Sequence, residues 1–259
     1  MRGRANAPAL RLTIVGCAPA YTSRRPGWVS SCYLVEAGDE ALVMDMGQGS
    51  FAELCRYRAP QTLAAVLISH LHADHLVDLI PLRHYLRYGV ADGAGSPRLH
   101  GPMALRSRVD ALQAESDFLA PLHGDPLAPG QLTVGGFKVE AVHVTHIPDS
   151  FAFRVSRTEG GTGLVYSGDC GEADDLLPLL RAGDTLLCEA AFGDEDEPGG
   201  GGHLTARQAA SVAARGGAGR LVLTHVLDPY AGDEVARSAA RAYGGEIMIA
   251  RPGLVLDVP

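Results

Sequence analysis

The sequence predicts an α/β fold in which buried strands carry ligand-type side chains to one site, on three observations. The apolar run Leu63 to Ile68 stops just before His70-Leu71-His72-Ala73-Asp74-His75, and Leu76 to Tyr88 follows with helical spacing of apolar residues. Three more apolar runs end in the same manner, at His146, at Asp169 and at His225. The 259 residues, 46% of them hydrophobic, suffice for a large core. One domain over 10–259 is the simplest count, although two halves meeting near Ala128 and Pro129 also fit the length.

The elements follow in order. Met1 to Pro8 is basic and no long apolar segment follows it, so it is no secretory signal, and residues 1–9 are expected to form a disordered leader. Leu10 to Gly16 reads as a strand, and 19–30 as a loop rich in Pro, Gly, Ser and Arg around Trp28, with Arg24 and Arg25 expected to solvate the surface, the alternative being contact with a substrate phosphate. Ser31 to Ala37 and Ala41 to Met46, split by Gly38-Asp39-Glu40, read as a hairpin. Phe51 to Arg58 looks helical, with Pro60 beyond its end. Pro81 weakens the start of the 76–88 helix. Pro97 to His100 is a short strand and Ala104 to Ala114 a helix, and Gly135-Gly136 turns a hairpin between Leu132–Val134 and Phe137–Val144. Strands at Phe151–Val155, Leu164–Ser167, Thr185–Phe192 and Arg220–Thr224 follow. Thr205 is the expected N-cap of a helix over Ala206–Arg215. Asp233–Tyr243 makes the last helix, and Glu246–Ala250 with Leu254–Val258 a closing hairpin.

Composition narrows the function. A net charge of −8 argues against broad nucleic-acid binding driven by phosphate attraction, though bound cations would reverse the field locally for an anionic substrate. The five cysteines are scattered without a CxxC, which fits a reduced cytoplasm and supports neither a zinc knuckle nor a dithiol site. No stretch has the apolar length of a membrane span. Gly47-Gln48-Gly49 lacks the spacing of a nucleotide loop. His84, His100 and His123 stand in ordinary surroundings and are read as structural or surface groups.

Within His70–His75, three imidazoles and a carboxylate crowd a strand-to-helix junction. Such groups suit zinc and also manganese or iron. His70 and His72, two apart in an extended segment, can point one way, while Asp74 and His75 come around the turn toward a second ion. His146, Asp169 and His225 supply further ligands from strand ends, where loops converge on a rigid frame. Asp45 closes a strand before Gly47, placed either to cap a turn or to support a ligating imidazole.

His70-Leu71-His72-Ala73-Asp74-His75 resembles the HxHxDH signature of the metallo-β-lactamase fold, near the branch of ribonuclease Z and the bacterial cyclic-nucleotide phosphodiesterases. The resemblance runs from Leu10 to Val258. It implies an αββα sandwich of two mixed sheets flanked by helices, with a dinuclear site at one edge. It implies that His70, His72 and His146 bind one divalent ion, that Asp74, His75 and His225 bind a second, and that Asp169 bridges them. Zinc is the expected ion and manganese the alternative. The resemblance also implies that Asp45 supports the histidines from behind, and that Glu189 orients His203 of His203-Leu204-Thr205, a histidine outside the metal ligands. Two departures stand out. The long Gly- and Pro-rich arm with which ribonuclease Z clamps tRNA is absent between His146 and His225, and Cys170 replaces the threonine that commonly follows the bridging aspartate.

The implied activity is metal-dependent phosphodiester hydrolysis of small cyclic nucleotides, with Asp74, His203 and Glu189 as the catalytic set and Asp74 orienting the attacking water. The expected partner is a small anionic phosphodiester, without extended nucleic acid or membrane; a homodimer is an open option. Three alternatives remain: ribonuclease Z-like RNA 3′-end cleavage, hydrolysis of an ester, lactone or lactam, and a non-catalytic metal-stabilised binding protein. Gly199 to Gly202, within the acidic 193–202 loop, is low in complexity and expected to be mobile and able to gate the site.

Overall fold

The computed structural model describes residues 10–258 apart from 92, 195–201 and 231. The expected leader and most of the expected gating loop therefore lie outside the described residues. The first stretch gives β1 (Leu10–Gly16), β2 (Cys32–Ala37), β3 (Glu40–Met44), α1 (Ser50–Leu54), β4 (Ala65–Leu67), α2 (Ala73–Leu76), α3 (Leu79–Tyr88), β5 (Arg98–His100) and α4 (Leu105–Gln113). The second gives β6 (Gly130–Val134), β7 (Phe137–His143), β8 (Phe151–Arg157), β9 (Leu164–Tyr166), β10 (Thr185–Glu189), α5 (Ala206–Gly216), β11 (Arg220–Thr224), α6 (Asp233–Ala240), β12 (Glu246–Ile249) and β13 (Val255–Val258).

Among the described residues the strands form two mixed sheets, ordered β13-β1-β2-β3-β4-β5 and β12-β11-β10-β9-β8-β7-β6. Side-chain alternation explains their stacking. Leu42 and Met44 of β3 join Leu12, Ile14 and Tyr33 against Phe153, Val155 and Tyr166 of the other sheet. Ala41 and Val43 face outward onto Leu54, Leu79, Leu82 and Val109 of α1, α3 and α4. In the second sheet Val165, Leu186 and Leu221 face Ala209, Val212 and Val235 of α5 and α6. With both faces covered, these strands are continuous apolar runs and not alternating ones. The layering is αββα, as expected.

Several boundaries differ from those expected. The 76–88 helix is broken at Val77-Asp78, where Asp78 accepts a hydrogen bond from Phe51 N–H at 2.8 Å and donates its own N–H to Met46. Pro81 sits in the first turn of α3, where its missing N–H costs nothing. Helix α1 stops at Leu54 and a turn carries the chain to Tyr57. Strand β7 ends at His143, so His146 rides on the following turn. Helix α6 ends at Ala240.

The expected closing hairpin does not form. Strand β12 lies parallel to β11 at the edge of the second sheet, while β13 pairs antiparallel with β1 in the first. Arg251 to Leu254 crosses between the layers. Ala250 donates to Leu223 on one side, and Ile14 exchanges hydrogen bonds with Gly253 and Leu254 on the other. Two adjacent apolar strands satisfy a hairpin pattern equally well when each extends a different sheet edge. The second half therefore does not close on itself, because its last strand completes the sheet begun by the first.

Candidate metal centre

The site is assembled where strands end. Asp45 follows β3 in a left-handed conformation (φ 61°), which a short polar side chain tolerates. It lets Asp45 accept hydrogen bonds from Ser69 N–H, Ser69 Oγ, His75 Nδ1 and Tyr166 Oη, each at 2.7 Å. Gly47 makes room, since a Cβ there would meet the Asp74 carbonyl oxygen at 1.9 Å. His70 follows β4, His72 occupies the extended N-cap position of α2, and Asp74 and His75 lie in its first turns. Gly168, at φ 58°, turns the chain after β9 to present Asp169, and His225 follows β11 at φ 57°.

These side chains converge in two groups. His70 Nε2 and His146 Nε2 approach His72 Nδ1 at 3.1 and 3.0 Å, with Asp169 Oδ2 at 3.5 Å from His70 and 3.8 Å from His146. On the other side, His225 Nε2 stands 3.2 Å from both His75 Nε2 and Asp74 Oδ2. Asp169 Oδ1 is 3.3 Å from His75 Nε2 and 3.5 Å from His225 Nε2. Tetrahedral ligands about 2.0–2.1 Å from a zinc ion lie roughly 3.3–3.4 Å from each other, close to this spacing. Asp169 Oδ1 is buried without a hydrogen-bond partner, and several nitrogen pairs face each other. A buried carboxylate oxygen left unpaired is costly, and a cation between the groups would remove that cost. The donor set thus fits one or more divalent ions.

Electrostatics and tautomers agree with that use except at His75, where burial opposes protonation but the Asp169 and Asp45 carboxylates outweigh it and push the pKa well above the usual histidine range, favouring a proton that a bound cation would displace. Burial holds His70, His72 and His146 below the usual histidine range and keeps them neutral, as ligation requires. Burial pushes the Asp169 and Asp74 carboxyls upward, but the surrounding imidazoles, His225 foremost, outweigh it and hold both well below the carboxylate range. Three of the nitrogens turned away from the cluster are occupied, whereas His225 Nδ1 is buried without a hydrogen-bond partner. His75 Nδ1 donates to Asp45, His146 Nδ1 donates to the Gly202 carbonyl at 2.6 Å, and His70 Nδ1 meets Ser69 Oγ at 3.0 Å. Ser69 in turn donates to Asp45, so one carboxylate sets the tautomer of a histidine in each group.

His203 stands beside this cluster. Its Nδ1 donates to Glu189 Oε1 at 2.9 Å and lies 3.9 Å from Asp169. Burial opposes protonation, yet the hydrogen bond and charge of Glu189 raise the His203 pKa to about 9. Asp169, His203 and His225 are also close enough to hold an ion, but Glu189 already takes His203 Nδ1, and His203 belongs to neither the His70–His72–His146–Asp169 group nor the Asp74–His75–His225 group. Glu189 is fully buried and also accepts from Cys170 N–H and Ala191 N–H. The Cys170 main chain makes that contact, while its thiol turns to the Glu172 carbonyl at 3.2 Å, so replacing a threonine leaves the Glu189 contact intact. Thr205 caps α5 in a reciprocal box with Gln208, fixing the chain two residues beyond His203.

All the sequence-derived site residues meet here. His84, His100 and His123 do not: His84 packs edge-on against Phe118, and His100 bonds the Asp125 carbonyl. Arg24 pairs with Asp228 at 3.8 Å and Arg25 covers Trp28, so neither reaches the cluster. Sequence reasoning missed four contributors: Ser69, Tyr166, the Gly202 carbonyl, and Ala20, whose N–H donates to Asp74 Oδ2 at 2.6 Å. Ser69 adjoins the motif and could have been suspected. Tyr166 is indistinguishable in sequence from any core aromatic, and main-chain groups leave no sequence signal.

A beta-lactamase superfamily domain model matches residues 42–226. The chain belongs to the beta-lactamase superfamily. It is 29% identical to the probable metallo-hydrolase YhfI of Bacillus subtilis over 96% of this chain and all of that protein. The crystal structure of YhfI superposes with a TM-score of 0.83 at 26% identity, covering 96% and 99% of the two chains. The uncharacterized protein Rv1339 of Mycobacterium tuberculosis is 33% identical over 95% of this chain and 91% of its own. Ribonuclease Z of Halobacterium salinarum is 26% identical over 96% of this chain and 98% of its own; that alignment spans 307 positions, more than the 259 residues here. Together with the clustered ligands, these likenesses make the chain a metal-dependent hydrolase of metallo-β-lactamase fold. No helix among the described residues is long and apolar enough to cross a membrane.

Proposed function

We propose that this protein is a dinuclear phosphodiesterase acting on small cyclic nucleotides. The observation that carries the reading is the Glu189–His203 pair set 3.9 Å from Asp169 yet outside both ligand groups. In this reading His70, His72, His146 and Asp169 hold one ion and Asp74, His75, His225 and Asp169 the other, with zinc the favoured metal and manganese the alternative. Two cations held there would supply Lewis-acid charge withdrawal from a phosphate and would acidify a water molecule.

The chain's own groups do the rest. Asp74, steadied by Ala20 N–H, orients the attacking water and accepts its proton. The water oxygen bonds to phosphorus as the bond to the leaving oxygen breaks. His203, with Nδ1 committed to Glu189, uses Nε2 to give that oxygen a proton, or keeps it and stabilises charge on the phosphate. A lactone or lactam needs no such phosphate-facing cation, which favours a phosphodiester over those substrates. Among the described residues, the connections between His146 and His225 hold one 3-10 turn and α5, without an added arm. That, and the shorter chain relative to the ribonuclease Z relative, supports a small substrate over tRNA.

The test is to incubate metal-loaded protein with cyclic nucleotides, short RNAs and lactones and to identify products by mass spectrometry. Conversion of a cyclic nucleotide to the monophosphate is expected. Turnover confined to RNA or to lactones would overturn the reading.

A further inference from the structure

A cavity of about 210 Å³ opens beside the metal centre, between the 17–28 loop, the ends of β11 and β12, and the start of α6. It shares His225 with the metal centre: His225 lies on the cavity wall while its Nε2 stands by Asp74 and Asp169. The loop roofing the cavity is also tied to the reaction centre. Ala20 N–H donates to Asp74, and eight residues on Trp28 forms part of the wall. Ser23 Oγ and Arg24 N–H both donate to Asp228, pinning that loop across the opening at 2.9 and 3.2 Å.

We propose that this cavity is the nucleobase subsite of the substrate, an inference that rests on the phosphodiesterase reading. Its size argues for one ring system, since sites that enclose a drug-sized ligand run to roughly 300–1,000 Å³. Its walls are largely apolar, from Trp28, Leu223, Val226, Val235 and Ile249, which suits a flat uncharged ring and not a phosphate that would lose its water there. The Arg25 guanidinium lies 4.8 Å from the Trp28 ring centre and stiffens that wall. The exposed Asp233 adds carboxylate oxygens that accept from the ring N–H or amino groups of a base, while Asp228 is already held by Ser23 and Arg24 and the Arg25 cation is turned over Trp28. A cyclic nucleotide therefore binds in one direction, base in the cavity and phosphate at the metal centre. Ile249, 38% exposed on an edge strand, is a wall residue that can be changed with little cost to the core.

Trp28 is the sole tryptophan, so the tryptophan fluorescence comes from a wall of this cavity. Metal-loaded protein would be titrated with adenosine and, separately, with ribose 5-phosphate. A saturable change with adenosine and none with ribose 5-phosphate is expected. Ile249→Glu should weaken adenosine binding at least tenfold at unchanged metal content, and raise KM for a cyclic purine nucleotide more than it lowers kcat. No response to adenosine, an equal response to ribose 5-phosphate, or full adenosine affinity in a folded Ile249→Glu would each overturn the subsite. Cyclic-nucleotide hydrolysis without a Trp28 response would overturn the subsite alone. Adenosine binding at Trp28 with no phosphodiester hydrolysis would overturn its assignment to a substrate.

Discussion

His75 and His203 each tie Nδ1 to a buried carboxylate, at 2.7 Å to Asp45 and 2.9 Å to Glu189, yet the two imidazoles face different company. The His75 side chain is wholly enclosed, and its Nε2 looks at Asp169, Asp74 and His225, each within 3.5 Å. The His203 side chain keeps 25% of its surface exposed and lies 3.9 Å from Asp169. The same pair of groups thus serves two ends. Where further carboxylates and imidazoles close around Nε2, the pair fixes the orientation of the ring and points Nε2 at the cation site, although the same carboxylates favour a proton there until a cation takes its place. Where the ring opens toward solvent, the pair favours a protonated imidazole, which the proposed function turns toward substrate. The difference lies in the neighbours and not in the dyad.

Removing the residue proposed to serve both ions should have the largest effect. Asp169→Ala is expected to lose both ions and reduce hydrolysis to background, whereas His225→Ala weakens chiefly the group containing Asp74 and His75. Metal titration of both variants checks this, and equal single-site losses would dispose of the shared role. The converse, His203→Ala, should keep its metal and lose about a hundredfold to ten-thousandfold in cyclic-nucleotide hydrolysis. An activated phosphodiester, whose leaving group needs little protonation, should suffer less. Steady-state rates with metal content from the same samples decide it, and full activity on both substrates would erase the contrast with His75.

The enclosing carboxylate offers a finer probe. Asp45→Asn should lower metal affinity about ten- to a hundredfold, because the amide cannot accept from Ser69, His75 and Tyr166 at once. Tyr166→Phe, which removes one of those donors, should do the same more weakly, and competition with a chromogenic chelator measures both. Glu189→Gln should lower the rate less than His203→Ala does, with metal affinity unchanged; a loss of metal instead would place the two dyads in one role. The smallest effect is expected at Thr205→Ala, which removes the cap of α5 and should cost about 1 kcal/mol, seen as a fall in Tm of a few degrees.

Much of this was legible because it is local. Histidines two apart before a helix, a carboxylate on its first turn, and His or Asp after each apolar run follow from chain geometry over a few residues. The capping box at Thr205 and the hairpin at Gly135-Gly136 are local in the same sense. The destination of β13 was not local. An apolar strand after Pro252-Gly253 can fold back on its predecessor or cross to the other layer, and only the free edge at β1 selects the second.

The residues that unite the site were hidden for the same physical reason. Tyr166 reaches Asp45 from the opposite sheet, 121 residues away, and Tyr33 bonds Thr224, just ahead of His225, across the same interface at 2.8 Å. In sequence both tyrosines read as apolar core positions. So the amino-acid sequence by itself determined which side chains stand at the strand ends and what chemistry they can perform. The packing of the two sheets decided how those side chains are held, because a hydrogen bond between layers depends on a register that no local pattern encodes.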